Sequence, residues 1–305
     1  MDEELAGALV ELFRRLATEL PADIERALEA ARDVEPAGSP GGLALEAILE
    51  DIRIARRDRA PMCQDTGLPL FFLQVPRGMD LSRLREAVTA ATRQAVAEVP
   101  LRSNAVDPLT GRNPGDGVGP GIPVLHFEPS PDDRLHIDLL MKGGGSENIG
   151  RLYSLPDRET GAGRDIASVR AVVLDAVVKA QGLGCPPTII GVGVGGSRDG
   201  VITLAKRQLL RPLADRSANP DVAALEAELL REVNGLGIGP AGLGGKTTAL
   251  AVKVGVAYRH PASFFVDVSF CCWACRRGRL DWPPGPTDAG RGRAGTESAE
   301  AEVAT

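Results

Sequence analysis

The stretch Ile122-Pro123-Val124-Leu125-His126-Phe127-Glu128-Pro129-Ser130-Pro131-Asp132-Asp133-Arg134-Leu135-His136-Ile137-Asp138-Leu139-Leu140-Met141 decides how this chain folds. Both ends alternate apolar and polar side chains, the pattern of a half-buried strand, and Leu135, Ile137 and Leu139 fall on one face. Pro129 to Asp133 between them reads as the turn of a β-hairpin. Upstream lie a polar Gly/Pro-rich segment (100–121), a helical pattern (82–98) and an apolar strand-like run from Leu70 to Val75. Before that run, Leu45, Ile48, Leu49 and Ile52 share one helix face, and Glu35 to Gly42 has the composition of a linker. Leu5, Leu9, Phe13, Leu16 and Leu20, then Pro21 opening Ile24, Ala27, Leu28 and Ala31, predict a helical arm over 1–34.

Downstream, Lys142-Gly143-Gly144-Gly145-Ser146-Glu147-Asn148 follows the second strand directly. A helix carrying Ile166, Val169, Val172, Val173 and Val177 ends at Gly182 and Gly184, and Cys185 opens a short apolar strand. Further helices follow the glycines at 191–196 and span 221–233; strands cover 250–256 and 263–270, the last delivering Cys271 and Cys272. Hairpin strands among separate helices predict an α+β domain over 42–280, and 281–305, without apolar periodicity, predicts a disordered tail.

Composition removes several function classes. Aromatics are only 4% of the chain and the net charge is −6, which disfavours stacking surfaces and phosphate-backbone partners, so no nucleic-acid partner is expected. No apolar run reaches the roughly 18 residues of a membrane span, and the acidic start Met1-Asp2-Glu3-Glu4 is no secretory signal, so a cytoplasmic protein without a membrane partner is expected. Cysteines at 63, 185, 271, 272 and 275 are odd in number and dispersed, a poor disulfide framework that raises the prospect of metal or redox use.

Several motifs carry less than they promise. Gly191, Gly193 and Gly196 match G-x-G-x-x-G, yet in so glycine-rich a run a packing loop or an anion-binding nest explains them as well. Gly244-Gly245-Lys246-Thr247 resembles the end of a phosphate loop but opens into a strand, with Pro240 where the first glycine belongs. Cys272-Trp273-Ala274-Cys275 lacks the second close pair of a zinc site, and buried small hydrophobes are its plain reading. His126 and His136 read as ordinary strand histidines, whereas His260 is more suggestive because it precedes the cysteine cluster.

Pro61-Met62-Cys63-Gln64-Asp65-Thr66-Gly67 is denser in chemistry than any other loop, with a thiol, an amide, a carboxylate and a hydroxyl in succession. Three cysteine loci, at 63, 185 and 271–275, stand at junctions of regular structure. Beside them lie anion-binding groups: Gln64 and Asp65, Arg198 with its glycines, Arg276 and Arg277. Three thiolates from separate loops could hold an iron–sulfur cluster with one iron open; a non-catalytic metal-binding module is the reading from another class.

The chain resembles the α-subunit, or N-terminal half, of the class I (iron–sulfur) fumarase and L-tartrate dehydratase family. The resemblance rests on Cys63-Gln64-Asp65-Thr66-Gly67, Leu101-Arg102-Ser103-Asn104 through Gly119-Pro120-Gly121, Lys142 to Asn148, Cys185-Pro186-Pro187, and His260-Pro261-Ala262-Ser263 onward to Arg276. It implies that Cys63, Cys185 and Cys272 bind a [4Fe–4S] cluster with one iron not held by cysteine; Cys271 and Cys275 are extras to the pattern. It further implies Gln64, Asp65, Arg102, Gly143, Gly144 and His260 as contacts of a small dicarboxylate, with Asp65 orienting or sharing a proton with the catalytic base. The implied reaction is reversible hydration of fumarate to L-malate, with L-tartrate dehydration as the alternative. That base, and further cationic contacts, come in this family from a second domain, so a β-subunit partner in an α2β2 heteromer is expected.

Overall fold

Helix-spaced apolar residues set the first three helices of the computed structural model, which describes residues 2–283. α1 (Asp2–Thr18) buries Leu5, Leu9, Phe13 and Leu16; α2 (Ala22–Val34) buries Ile24, Leu28 and Ala31; α3 (Pro40–Asp58) buries Leu45, Leu49 and Ile52. The expected linker is therefore partly helix. Ser39 Oγ accepts from the Gly42 N–H at 3.1 Å, and Pro40 occupies the first turn, where its missing N–H leaves no bond unmade. Gly41 answers to packing: a Cβ there would lie 2.6 Å from the Gly244 carbonyl oxygen.

The first sheet contains β1 (Leu68–Val75), β2 (Val124–Pro129), β3 (Leu135–Lys142) and β8 (Arg276–Trp282), in the order β2-β1-β3-β8. β1 runs parallel to β2 and antiparallel to β3, with Phe72 opposite both His126 and Asp138. The hairpin predicted over 122–141 does not form, because β1 is inserted between its two strands. The reason lies in burial: Leu70, Phe71, Phe72 and Leu73 of β1 are all buried, so both its faces need cover, while β2 is only half-buried and suits an edge. β8 pairs Leu135 with Trp282, which carries regular structure past residue 280, where the tail was expected to begin. The rest of that expected tail, 284–305, lies outside the described residues.

A short helix, α5 (Gly144–Asn148), carries the chain from β3 across to β4 (Arg151–Ser154) in the second sheet. That sheet adds β5 (Thr188–Gly195), β6 (Ala249–Ala257) and β7 (Phe265–Cys271), in the order β4-β7-β5-β6. β5 is parallel to β6 and antiparallel to β7. Mixed sheets with helices on their faces make an α+β fold, as the sequence predicted. No described helix is long and apolar enough to cross a membrane.

Three cores hold these layers. α1 and α4 (Leu81–Glu98) cover Phe71, Leu73, Ile137 and Leu139 of the first sheet. α6 (Ile166–Ala180) and α8 (Pro220–Gly235) cover Ile190, Val192 and Val194 of β5 with Val169, Val173, Leu225 and Leu229. The third core is the seam between the sheets, where Leu70, Phe72 and Leu140 meet Ile189, Ala251 and Cys271 under α2 and α3. On the seam side of β5 lies α7 (Arg198–Gln208), so close that a Cβ at Gly191 would stand 2.2 Å from Ala205 O and one at Gly193 2.3 Å from Val201 O. The glycines at 191 and 193 are thus strand residues selected by packing, and no nucleotide loop opens there. Gly193→Ala would press a methyl into helix backbone that cannot rotate away, and should lower the unfolding free energy by about 1–3 kcal/mol in urea titration, with m unchanged.

Candidate active site

The dense loop after α3 runs into β1, and β1 begins opposite the end of β3, with Leu68 facing Lys142. This register lays Asp65 against the glycines that follow Lys142. Asp65 Oδ2 accepts from the Gly144 N–H at 2.7 Å and Oδ1 from the Gly67 N–H at 3.0 Å. Its backbone carbonyl accepts from Arg276 Nη1 at 2.6 Å. Gly67 is held at φ +86° with Met141 C 2.7 Å from where a Cβ would stand, so the approach of the two strands excludes any larger residue. Thr66 is buried and accepts at Oγ1 from the Arg102 N–H at 3.0 Å and Asn104 Nδ2 at 3.3 Å. These bonds clip the loop of Arg102 beside Asp65, and the exposed Arg102 guanidinium has no partner among the described residues.

Cys185 precedes β5 and Cys272 follows β7, and β5 and β7 pair Ile189 with Cys271, so both thiols arrive at one end of the second sheet. Trp273 N–H donates to the Cys185 carbonyl at 3.2 Å, tying the two loops together. Cys185 itself sits at φ 52°, a left-handed conformation that costs a non-glycine residue about 1–3 kcal/mol and survives only where surroundings enforce it. Partial burial of this exposed residue, with Cys63 and Asp65 nearby, pushes the Cys185 thiol above its ordinary range. Burial, with Cys271 and Cys185 nearby, pushes Cys272 up to about 12. Cys63 and Asp65 therefore lie near Cys185, and Cys185 lies near Cys272. Cys271 and Cys275 point the other way, fully buried in the seam core.

Among the described residues, no three His, Cys, Asp or Glu side chains converge tightly enough to hold a single metal ion. Three thiols spread around a shared space fit a polynuclear iron–sulfur group, whose donors are cysteine thiolates. Arg276 fits it too: the side chain is 1% exposed, lies beside the Cys271 and Cys272 thiols, and its Nε has no partner. A buried cation of this kind suits a site that gathers thiolate charge.

Not every sequence-predicted neighbour arrives. Gln64, Asp65, Arg102, Gly143, Gly144 and the three thiols gather at this end of the fold. His260 does not: it is exposed in the turn before β7, its Nδ1 accepting from the Ala262 N–H at 3.1 Å. The length of β7, roughly 20 Å at ~3.4 Å per residue, separates it from Cys272. Arg198 is likewise parted from Cys185 by the whole of β5, and Arg277 is taken by Asp23 at 2.5 Å. Two supports escaped the sequence reading. Arg276 was grouped with Arg277 as an anion ligand, but it serves the Asp65 carbonyl. Lys142, at the end of an apolar strand, is buried with Nζ 2.9 Å from Ser146 Oγ and 3.1 Å from Glu147 Oε2, which braces the turn that presents Gly144. Its charge, at an inward position of a strand, was the available signal.

The family model described as "Fumarate hydratase (Fumerase)" matches residues 6–281. The chain is 44% identical over 278 residues to a Geobacillus stearothermophilus protein named "Putative fumarate hydratase class I", covering 90% of this chain and 54% of that protein. It is 38% identical over 279 residues to a Methanocaldococcus jannaschii protein named "Putative L(+)-tartrate dehydratase subunit alpha", covering 90% and 96%. To the L(+)-tartrate dehydratase subunit alpha of Escherichia coli it is 34% identical over 267 residues, covering 87% and 86%. The chain thus spans about half the length of the first relative and most of the other two.

Glu147 links Lys142 to Lys206 of α7, and behind them Asp267 is buried, taking a bond from Ser269 Oγ at 2.7 Å. Burial pushes the Asp267 carboxyl from 3.8 to about 6. The fold therefore keeps a proton that the unfolded chain releases first, and this contribution to stability is lost as pH rises from 3.8 through about 6. Asp267→Asn should remove that fall, a difference of roughly 2–3 kcal/mol at ~1.4 kcal/mol per pH unit, read from denaturant titrations at pH 4, 5, 6 and 7.

Proposed function

The chain belongs to the fumarate hydratase family, and from that membership we propose that it is the cluster-bearing α half of a hydro-lyase interconverting fumarate and L-malate. The observation that carries the reading is the convergence of Cys63, Cys185 and Cys272 beside an Asp65 carboxylate fixed by two backbone N–H groups. In the proposal those three thiolates hold a [4Fe–4S] cluster. When bound, it supplies one iron without a cysteine ligand, a Lewis acid for the hydroxyl of a 2-hydroxy dicarboxylate.

The chain's own residues then bind and orient. Arg102, held by its backbone to Thr66 and exposed at its guanidinium, offers two parallel N–H donors to one substrate carboxylate. Gln64 adds an amide on the same loop, and Gly143 and Gly144 form the opposite rim. The Gly144 N–H is committed to Asp65, so its part is to aim that carboxylate. In the proposal Asp65 orients, or exchanges a proton with, a catalytic base on a β-type half. His260, the remaining substrate contact of the resemblance, stands in the turn before β7, at the other end of that strand from Cys272. This chain spans 54% of one relative and 86% of another that is named a subunit alpha, which supports a β-type half on a partner chain; the proposed assembly is α2β2. Free thiols suit a reducing compartment such as the cytoplasm.

L-tartrate is the second substrate reading, supported by the end-to-end match to two proteins named as tartrate dehydratase α-subunits. Tartrate differs from malate by one hydroxyl and would use the same carboxylate contacts, so a few pocket groups decide between them. Anaerobically reconstituted αβ complex should dehydrate L-malate faster than L-tartrate; the reverse order makes the chain a tartrate dehydratase subunit. Zinc in place of iron in the purified chain would sink the hydro-lyase reading in favour of a structural metal module. Within the complex, Asp65→Asn should lower kcat by about 10²–10⁴-fold with iron content unchanged, while Arg102→Lys should raise KM by about tenfold or more.

A further inference from the structure

Glu35 follows α2 in the segment whose composition suggested a linker, yet it is 7% exposed. Its Oε1 accepts from the Lys246 N–H at 2.7 Å and the Thr247 N–H at 3.0 Å. Its Oε2 is buried without a partner among the described residues, 2.7 Å from where a Cβ on Gly245 would stand, and Gly245 is held at φ +136°. A carboxylate buried in this way has a job in holding backbone, because leaving it unpaired is costly.

What it holds is the glycine-rich strap 235–247. The strap is folded on itself, with Gly244 N–H donating to Ile238 O at 2.8 Å and Gly242 N–H to Gly239 O at 3.0 Å. Its middle rests on α3 through Gly41. At its far edge the Ala241 N–H donates to the Pro186 carbonyl at 2.7 Å, and Gly242 abuts Gly182, with 2.5 Å between a Cβ built there and Gly182 Cα. Pro186 is the residue after Cys185, and the Cys185 carbonyl in turn accepts from Trp273 N–H, next to Cys272. A continuous set of backbone contacts thus runs from Glu35, through the strap, to the left-handed turn that presents Cys185.

We propose that Glu35 is the positioning residue for Cys185: by clamping the strap onto the Pro186 carbonyl it enforces the turn that faces this thiol toward Cys63 and Cys272. The functional meaning rests on the reading of Cys185 as a cluster ligand; the clamp itself does not.

The test is residue-resolved hydrogen–deuterium exchange on the full, metal-free, reduced chain. Glu35→Leu removes the acceptor, while Glu35→Gln keeps a carbonyl oxygen able to take both N–H bonds. In Glu35→Leu the amides of Lys246 and Thr247, and with them Ala241, Cys185 and Trp273, should exchange about tenfold faster or more, with the amides of β3 unchanged. Glu35→Gln should restore all five to wild-type rates, and Glu35→Leu should take up iron more slowly than either. Faster exchange at Lys246 and Thr247 alone, with Cys185 and Trp273 unmoved, overturns the proposal, as does uniform acceleration that includes β3. Should Glu35→Leu fail to fold, Gly245→Ala, which drives a methyl into Glu35, must give the same five-amide pattern or the proposal fails. Iron content of the wild type judges the hydro-lyase reading separately: no iron together with the expected exchange pattern sinks that reading and upholds the clamp.

Discussion

A buried guanidinium destabilises the fold unless its N–H groups find acceptors, and Arg276, 1% exposed, places Nη1 on the Asp65 carbonyl while its Nε has no acceptor among the described residues. Much of the site depends on this one bond. It fixes the loop between α3 and β1 against β8, and β8 is the strand that issues from the Cys271–Cys275 turn. A cation beneath the thiols and a bond to the loop of Cys63 and Asp65 are one and the same side chain. Replacing it by a shorter cation would leave either the carbonyl or the thiol-lined space unserved.

Around that bond the site is assembled from backbone more than from side chains. Gly144 and Gly67 aim the Asp65 carboxylate, Thr66 holds the Arg102 loop, Trp273 holds the Cys185 carbonyl, and Ala241 holds Pro186. Such a frame is rigid where ligands must be placed and leaves the reactive groups open: Cys185, Gln64 and Arg102 all face solvent. An exposed thiol at Cys185 and an exposed guanidinium at Arg102 thus stand at the same end of the fold. The Lys142–Glu147–Lys206 connection, with Lys142 buried and Glu147 exposed, ties the end of β3 to α7, which packs on the second sheet.

Much of this was legible in the residues. Helical spacing located the helices because each packs one stripe against a core, and glycine and proline punctuation located the loops because those residues alone tolerate or enforce the turns. The Pro40–Gly42 segment misled for the same reason: proline and glycine signal a break, yet Pro is welcome in a first helical turn and Gly41 is needed for close approach to Gly244. The hairpin over 122–141 misled because alternation tells which face of a strand is buried and says nothing about its neighbour. Pairing is decided by which strand must be central, and the doubly buried β1 claimed that place.

Sequence alone thus determined the kind of elements, the α+β class and the loops that carry thiols, carboxylate and arginine, since these follow from local periodicity and side-chain chemistry. Only the tertiary structure decided which of them meet. Cys63, Cys185 and Cys272 come together because β1 and β3 begin and end where β5 and β7 do, across the seam. His260 and Arg198 stand at the far ends of β7 and β5 from Cys272 and Cys185, because a strand of seven or eight residues is a rigid spacer. Proximity along the chain places a residue beside its neighbours in sequence; a strand's direction and register place it at one end of a sheet or the other, and no local pattern encodes that choice.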